Sequence, residues 1–141
     1  MTKRHELQVW LVVETRNKHH RRRFEIKQLI PGKDTKMTPV NVNVGHVVNC
    51  SLVFLDQNGN PMLTTPTPDA APVWTDTTPA TGTLTAAAGG LTASEQIIAA
   101  GTDTINVSLS VGGTAFTASL PVVASAAPQV LTTVQIAATV Q

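Results

Sequence analysis

Beyond Lys36 this 141-residue chain has no lysine and no arginine. All ten cationic side chains fall between Met1 and Lys36, opposed there by Glu6, Glu14, Glu25 and Asp34, so this segment has a formal charge of +6. The remainder carries Asp56, Asp69, Asp76, Glu95 and Asp103 and sums to −5. The net charge of +1 therefore conceals a polarised molecule. Such asymmetry separates a basic segment that docks from a neutral one that projects. Cysteine is almost missing as well. Cys50 has no partner in the chain, so no intrachain disulfide forms and the fold must stand on packing. It lies in the apolar run Val47–Leu55 and reads as a small buried hydrophobe rather than a reactive thiol. No apolar run approaches the roughly 20 residues of a membrane-crossing helix.

Catalytic and ligand-binding patterns are also missing. The chain has no Gly-x-Ser-x-Gly, no Ser-His-Asp set and no phosphate-cradling glycine loop, and its later acids look scattered in or beside turns. The expectation is a non-enzymatic protein without a cofactor. His5, His19 and His20 do not make a metal site, because adjacent histidines in a strand or loop point apart and no Cys or carboxylate stands at ligand spacing. Asp56-x-Asn58-x-Asn60 has the outline of a calcium loop, but its glycine is fourth rather than sixth and Thr67 stands at position twelve. A plain turn is expected there. Asn49-Cys50-Ser51 and Asn106-Val107-Ser108 match glycosylation acceptors by chance, since both fall in expected strands. Lys3, Arg4 and Leu7–Val13 imitate a secretory signal. Glu6 and Glu14 flank that stretch and no small-residue cleavage site follows it, so it is expected to stay in the mature protein.

What is present is β chemistry. The heavy Thr, Ala, Val and Gly usage and low charge after Lys36 are the reverse of disorder composition. Leu7, Val9, Leu11 and Val13 alternate, predicting a strand over His5–Glu14, although Leu7, Trp10, Leu11 and Glu14 also fit a helical period. Phe24–Ile30 is a second strand, Thr15–Arg23 between them reads as a basic loop, and Pro31-Gly32 ends the hairpin. A lone hairpin is marginal in water, so this one must pack on the rest of the chain or on a partner. Lys33–Pro39 reads as a linker. Short strands then follow at Val40–Val44, Val47–Leu55, Val73–Thr75, Thr83–Thr85, Leu91–Ala99, Thr104–Ser110 and Ala115–Val123. Asn58-Gly59, Gly89-Gly90 and Gly112-Gly113 supply turns between them. About seven strands at this spacing predict an all-β sandwich. The expected organisation is a basic β-hairpin arm at 1–36, an immunoglobulin-like β-sandwich at 37–127, and a strand-like tail at 128–141.

The stretch Val40–Val123 resembles the bacterial immunoglobulin-like domains of bacterial surface proteins and phage virion proteins. The likeness rests on Val44-Gly45 before a long strand, on Asp56-x-Asn58-Gly59-Asn60-Pro61, on Pro72-Val73-Trp74-Thr75, on Gly90-Leu91-Thr92-Ala93, and on Gly101-Thr102-x-Thr104-Ile105-x-Val107. The resemblance implies Trp74 packed between the sheets and a central strand carrying Ile105 and Val107. The chain departs from it at Thr78–Thr85, where the usual apolar strand is weak, and the resemblance does not extend to Met1–Lys36.

A display-type domain, a basic segment ahead of it and the lack of an export signal need one explanation. A phage virion supplies it, since its parts are made in the cytoplasm and displayed on the particle. The arrangement is similar to two-part phage decoration proteins, with a capsid-binding N-terminal part and an outward immunoglobulin-like domain. The expectation is a capsid decoration protein. Arg16, Lys18, Arg21, Arg22 and Arg23 dock on acidic capsid or other virion surface, while Leu7, Val9, Leu11, Phe24 and Ile26 bury an apolar face against that partner. The sandwich projects and binds surface glycans weakly, if anything; no membrane is involved. Two other classes remain. One is a tail or head–tail subunit, oligomeric through strand pairing by the hairpin and by Pro128–Gln141. The other is an adaptor gripping nucleic acid through Met1–Lys36, for which Trp10 and Phe24 are the basic segment's base-stacking candidates and no recognition motif exists. A surface adhesin ranks last, because it needs an export route.

Overall fold

The computed structural model describes residues 8–17, 20–56, 58–60, 62, 64 and 66–127, and for 15–17 and 20–26 the backbone alone. Its strands are β1 (Gln8–Asn17), β2 (His20–Leu29), β3 (Asp34–Lys36), β4 (Val40–Asn43), β5 (Val47–Leu55), β6 (Val73–Asp76), β7 (Gly82–Ala86), β8 (Thr92–Ile97), β9 (Gly101–Val111) and β10 (Thr114–Ser125). Period-two patterning decides which face of each goes inside. In β5, Val48, Cys50, Leu52 and Phe54 are buried while their neighbours are half-exposed. In β9 the same phase buries Ile105, Val107 and Leu109, and in β10 it buries Phe116, Ala118, Leu120, Val122 and Ala124.

These strands make an immunoglobulin-like β-sandwich. One sheet runs β2-β1-β5-β8-β7 and the other β3-β10-β9-β6, with β4 also on β10. Without β2, β3 and β4, the order β1-β5-β8-β7 against β6-β9-β10 is the A-B-E-D over C-F-G arrangement of immunoglobulin sandwiches. The apolar faces of the two sheets meet in one core.

The hairpin is present, and its place differs from an appended arm. β1 pairs with β5 at nine positions, from Gln8 opposite Leu55 to Arg16 opposite Val47. Val9, Leu11 and Val13 on β1 are 0%, 2% and 0% exposed and belong to the sandwich core. A boundary at residue 36 would cut that core, so the segment 1–36 is not a unit apart from 37–127. The basic stretch Thr15–Arg23 is mostly strand rather than loop, since the pairing continues through Thr15 with Arg22, Arg16 with Arg21 and Asn17 with His20.

The expected linker Lys33–Pro39 is also partly strand. β3 pairs parallel with Thr117–Ser119 of β10, and the Met37 amide donates to the Ser119 carbonyl at 2.9 Å. β4 resumes the parallel edge at Val122–Ser125. Pro39 has no N–H to give to a ladder, which accounts for the break between them. The 128–141 tail lies outside the described residues.

If β1 is core, shortening it should unfold the whole chain. Leu11→Ala should cost about 2–5 kcal/mol in urea denaturation, with one transition for the entire protein. A loss under about 1 kcal/mol, or a separate early transition for the hairpin, would show that β1 is dispensable.

Candidate functional site

Two regions concentrate charge, and they differ in kind. The first is the basic hairpin. Among the described residues β2 is the outer strand of its sheet, and it pairs with β1. His20, Arg21, Arg22, Arg23 and Lys27 lie along it, and Arg16 lies on β1 opposite Arg21. Lys27, Lys33 and Lys36 are exposed, and the Lys27 Nζ donates to the Lys36 carbonyl at 2.6 Å, tying β2 to the end of β3. Leu7 and Lys18 lie outside the described residues, as do the side chains of Arg16, Arg21, Arg22, Arg23, Phe24 and Ile26. The apolar part of the expected docking face is corrected at two positions. Val9 and Leu11 are spent on the sandwich's own core, because the register with β5 turns them inward.

Ile105 and Val107 are buried in the core on β9. Trp74 is not packed at its centre. It is half-buried on the four-residue edge strand β6, against the core's rim, and its Nε1 donates to the Gly90 carbonyl at 2.7 Å. Gly90 precedes β8 in the other sheet, so this bond closes one side of the sandwich. Gly90 has φ +74°, and a Cβ there would sit 2.8 Å from the Pro72 carbonyl oxygen, so no other residue suits the position. Asp56 forms a turn of the expected kind, with its Oδ1 accepting from the amides of Asn58 and Asn60 at 2.8 and 3.0 Å.

The second region is a buried acid cluster that the sequence reading placed among scattered turn carboxylates. Asp76 ends β6, Glu95 lies in β8 and Asp103 in β9. One carboxylate oxygen from each lies within 4.8 Å of the others. Glu95 is 0% exposed and Asp103 4%, while Asp76 is half-buried. The connection from β6 to β7 crosses between the sheets directly over them. It is held by Asp103, whose Oδ1 accepts from the Thr77 amide at 2.9 Å, the Thr77 hydroxyl at 3.0 Å, the Thr78 amide at 2.8 Å and the Thr104 amide at 2.6 Å. The Thr81 carbonyl accepts from the amides of Ile98 and Ala99, pinning the far end of the crossover. Gly82 then passes so close to Glu95 that a Cβ would collide with the Glu95 Oε1. Glycine is required there for space, not for its torsion.

Asp103 Oδ1 is thus saturated, whereas Asp103 Oδ2 and both Glu95 oxygens are buried without a hydrogen-bond donor. Burial pushes the Glu95 carboxyl up to about 8, helped by the hydrogen bond that its protonated form can donate to Asp103 and by the charges of Asp103 and Asp76. Burial also works to raise Asp103, but the hydrogen bond that a protonated Glu95 donates to it and those it accepts from Thr104, Thr78 and Thr77 outweigh that and hold it below the ordinary aspartate range. Without another ligand, a proton on Glu95 bridges the pair. The neighbouring Cys50 thiol is pushed up to about 12, chiefly by burial and then by the Glu95 charge, which makes it inert as a nucleophile.

A signal for the cluster exists in the sequence. Glu95 keeps the buried phase of Ala93 and Ile97, and Asp103 that of Ile105 and Val107. An acid in the inward phase of a strand is either paired or bound, since an unpaired buried charge costs several kcal/mol (roughly). No protein-family model matches the chain, and no curated protein matches it significantly.

The shift of Glu95 has a defined consequence for stability. The folded state keeps the Glu95 proton up to about 8, while the unfolded chain releases it near the ordinary 4.5. Stability is therefore greatest below that lower value and is lost as pH climbs toward the upper one. Asp103 acts oppositely and only in acid, since its lowered value makes stability fall as pH drops below its ordinary 3.8. In metal-free buffer the chain should unfold at less urea at about pH 9 than at about pH 6, and Glu95→Gln should remove the difference and add on the order of 2 kcal/mol at the higher pH. Persistence of the full difference in the variant would assign it to another group.

Proposed function

We propose that the chain is a non-enzymatic phage virion protein, a capsid decoration or accessory subunit that docks through its basic hairpin and displays the sandwich. One observation carries this reading. Every lysine and arginine of the chain belongs to its first thirty-six residues, and the described part of that segment forms β1, β2 and β3 at one edge of the sandwich, leaving a body of −5. Charge segregated in this way favours attraction to an acidic surface over a broad range of approach, and orients the sandwich away from it. Arg16, Lys18, Arg21, Arg22 and Arg23 are the docking cations. The apolar contribution falls to Leu7, Phe24 and Ile26, since Val9 and Leu11 are committed to the core. The immunoglobulin-like fold and the family resemblance of Val40–Val123 support the display half of the reading. Weak glycan binding is the activity left to the projecting domain.

The test is the particle itself. Antibody raised against the purified chain should label intact virions of the phage that encodes it, and the triple substitution R21A/R22A/R23A should cut its copy number on the particle at least about tenfold while the purified variant keeps the wild-type melting curve. Particles free of the chain would end the virion reading. Retention on DNA that weakens steeply with salt, combined with such particles, would instead establish a polyanion adaptor.

A further inference from the structure

We propose that Asp76, Glu95 and Asp103 form a binding site for a divalent cation of the calcium type, locked under the β6–β7 crossover. Two independent observations point to it. The three carboxylates converge from three strands in both sheets, with one oxygen each inside a 4.8 Å span. Calcium binds oxygens at 2.3–2.6 Å, so two ligands of one ion lie at most about 5.2 Å apart. The second observation is the state of the oxygens. Glu95 is wholly buried, yet both its oxygens and Asp103 Oδ2 lack any donor, while the other Asp103 oxygen is fully used by the crossover. A single proton can satisfy one Glu95 oxygen and Asp103 Oδ2 and leaves the other Glu95 oxygen bare. A cation satisfies all three at once.

The surroundings fit a hard, oxygen-seeking ion. The donors are carboxylates, with no imidazole or thiolate among them. No lysine or arginine exists anywhere from β4 to β10 to supply the counter-charge. Glu95 offers two oxygens, Asp103 one, and the half-buried Asp76 one or two more. Water entering on the Asp76 side completes the six to eight ligands that calcium takes. Magnesium demands a tighter, near-octahedral shell and keeps more of its own water, which makes it the poorer occupant of a site whose walls are fixed strands. Because Asp103 also holds Thr77 and Thr78, the bound ion would fasten the crossover and both sheets together.

The experiment uses the full-length chain, stripped with chelator and dialysed, and inorganic calcium as the probe. Isothermal titration should give saturable binding near one ion per chain. Calcium at about 100-fold excess over Kd should raise Tm by about 5 °C or more, with magnesium giving a smaller rise. Asp76→Asn should weaken calcium binding at least about tenfold, since it sits at the mouth and its loss leaves the buried pair in place. Glu95→Gln, an isosteric change that relieves repulsion and so keeps the fold, should abolish the calcium response entirely. No heat and no Tm rise with calcium, magnesium or manganese at millimolar concentration would overturn the proposal and leave the pair bridged by a proton. A calcium response unchanged in both variants would overturn it equally, by placing the ion elsewhere.

Discussion

The pairing of β1 with β5 is the constraint on which the rest of the structure depends. It brings Val9, Leu11 and Val13 into the same core as Val48, Cys50 and Leu52, so the first strand is built into the sandwich. Burying such side chains is worth about 1.5–3 kcal/mol each, more than the small net stability of a typical domain can spare several times over. From this pairing the position of every described cation follows. β2 can only add outside β1, and β3 and β4 must then cross to the other sheet to reach the free edge of β10. The polarity visible in the composition thereby becomes a polarity in space, with the described cations confined to β1, β2, β3 and the turn before β3.

That placement gives the basic residues a second physical role. Among the described residues the ten-residue β2 has no strand on its outer side, an arrangement that invites association with another strand, and charged side chains along such an edge are a common defence. The other edges are blunter. β6 has four residues, β7 five, and the β3–β4 edge is interrupted around Pro39. The longest outer strand is thus also the most cationic. The two roles are compatible, because the same charge that repels a second copy of β2 attracts an acidic surface.

Much of the fold was legible because the later strands obey a strict period of two. Val47–Leu55 emerges with the bounds its alternation implies, and the Gly112-Gly113 turn, both residues at positive φ, joins the two longest strands. What was missed has local causes. The run of arginines looks like a loop because charge is read as solvent, whereas an edge strand tolerates charge on every residue that does not face the core. Asp34–Lys36 looks like a linker because three polar residues show no period, and only the long reach of β10 makes them a strand. Trp74 was expected between the sheets on the strength of the resemblance; it lies half-buried on the marginal strand β6, packed against the core's rim and tied to the Gly90 carbonyl ahead of β8. At the docking site the residue types were legible and the core commitment of Val9 and Leu11 was not, since a strand's inward face is the same whether its cover is a partner or its own chain.

The acid cluster was hidden for a different reason. Glu95 and Asp103 are eight positions apart in sequence, on strands of opposite sheets, and nothing local says that their inward faces meet. Yet the composition already limits how such a meeting can be resolved. A buried carboxylate ordinarily finds an arginine or lysine, and beyond Lys36 this chain has none. Backbone and hydroxyl donors are supplied to Asp103 by Thr77, Thr78 and Thr104, and none reaches Glu95. Its charge must then be neutralised from outside the sequence, by a proton or by a metal ion. The two solutions are physically equivalent as fillers of one electrostatic gap and differ in what they join. A proton links Glu95 to Asp103 alone, whereas a divalent ion also recruits Asp76 and so couples β6, β8, β9 and the crossover between the sheets. A third converging acid adds nothing to a shared proton, whereas to a divalent cation it is a further oxygen ligand.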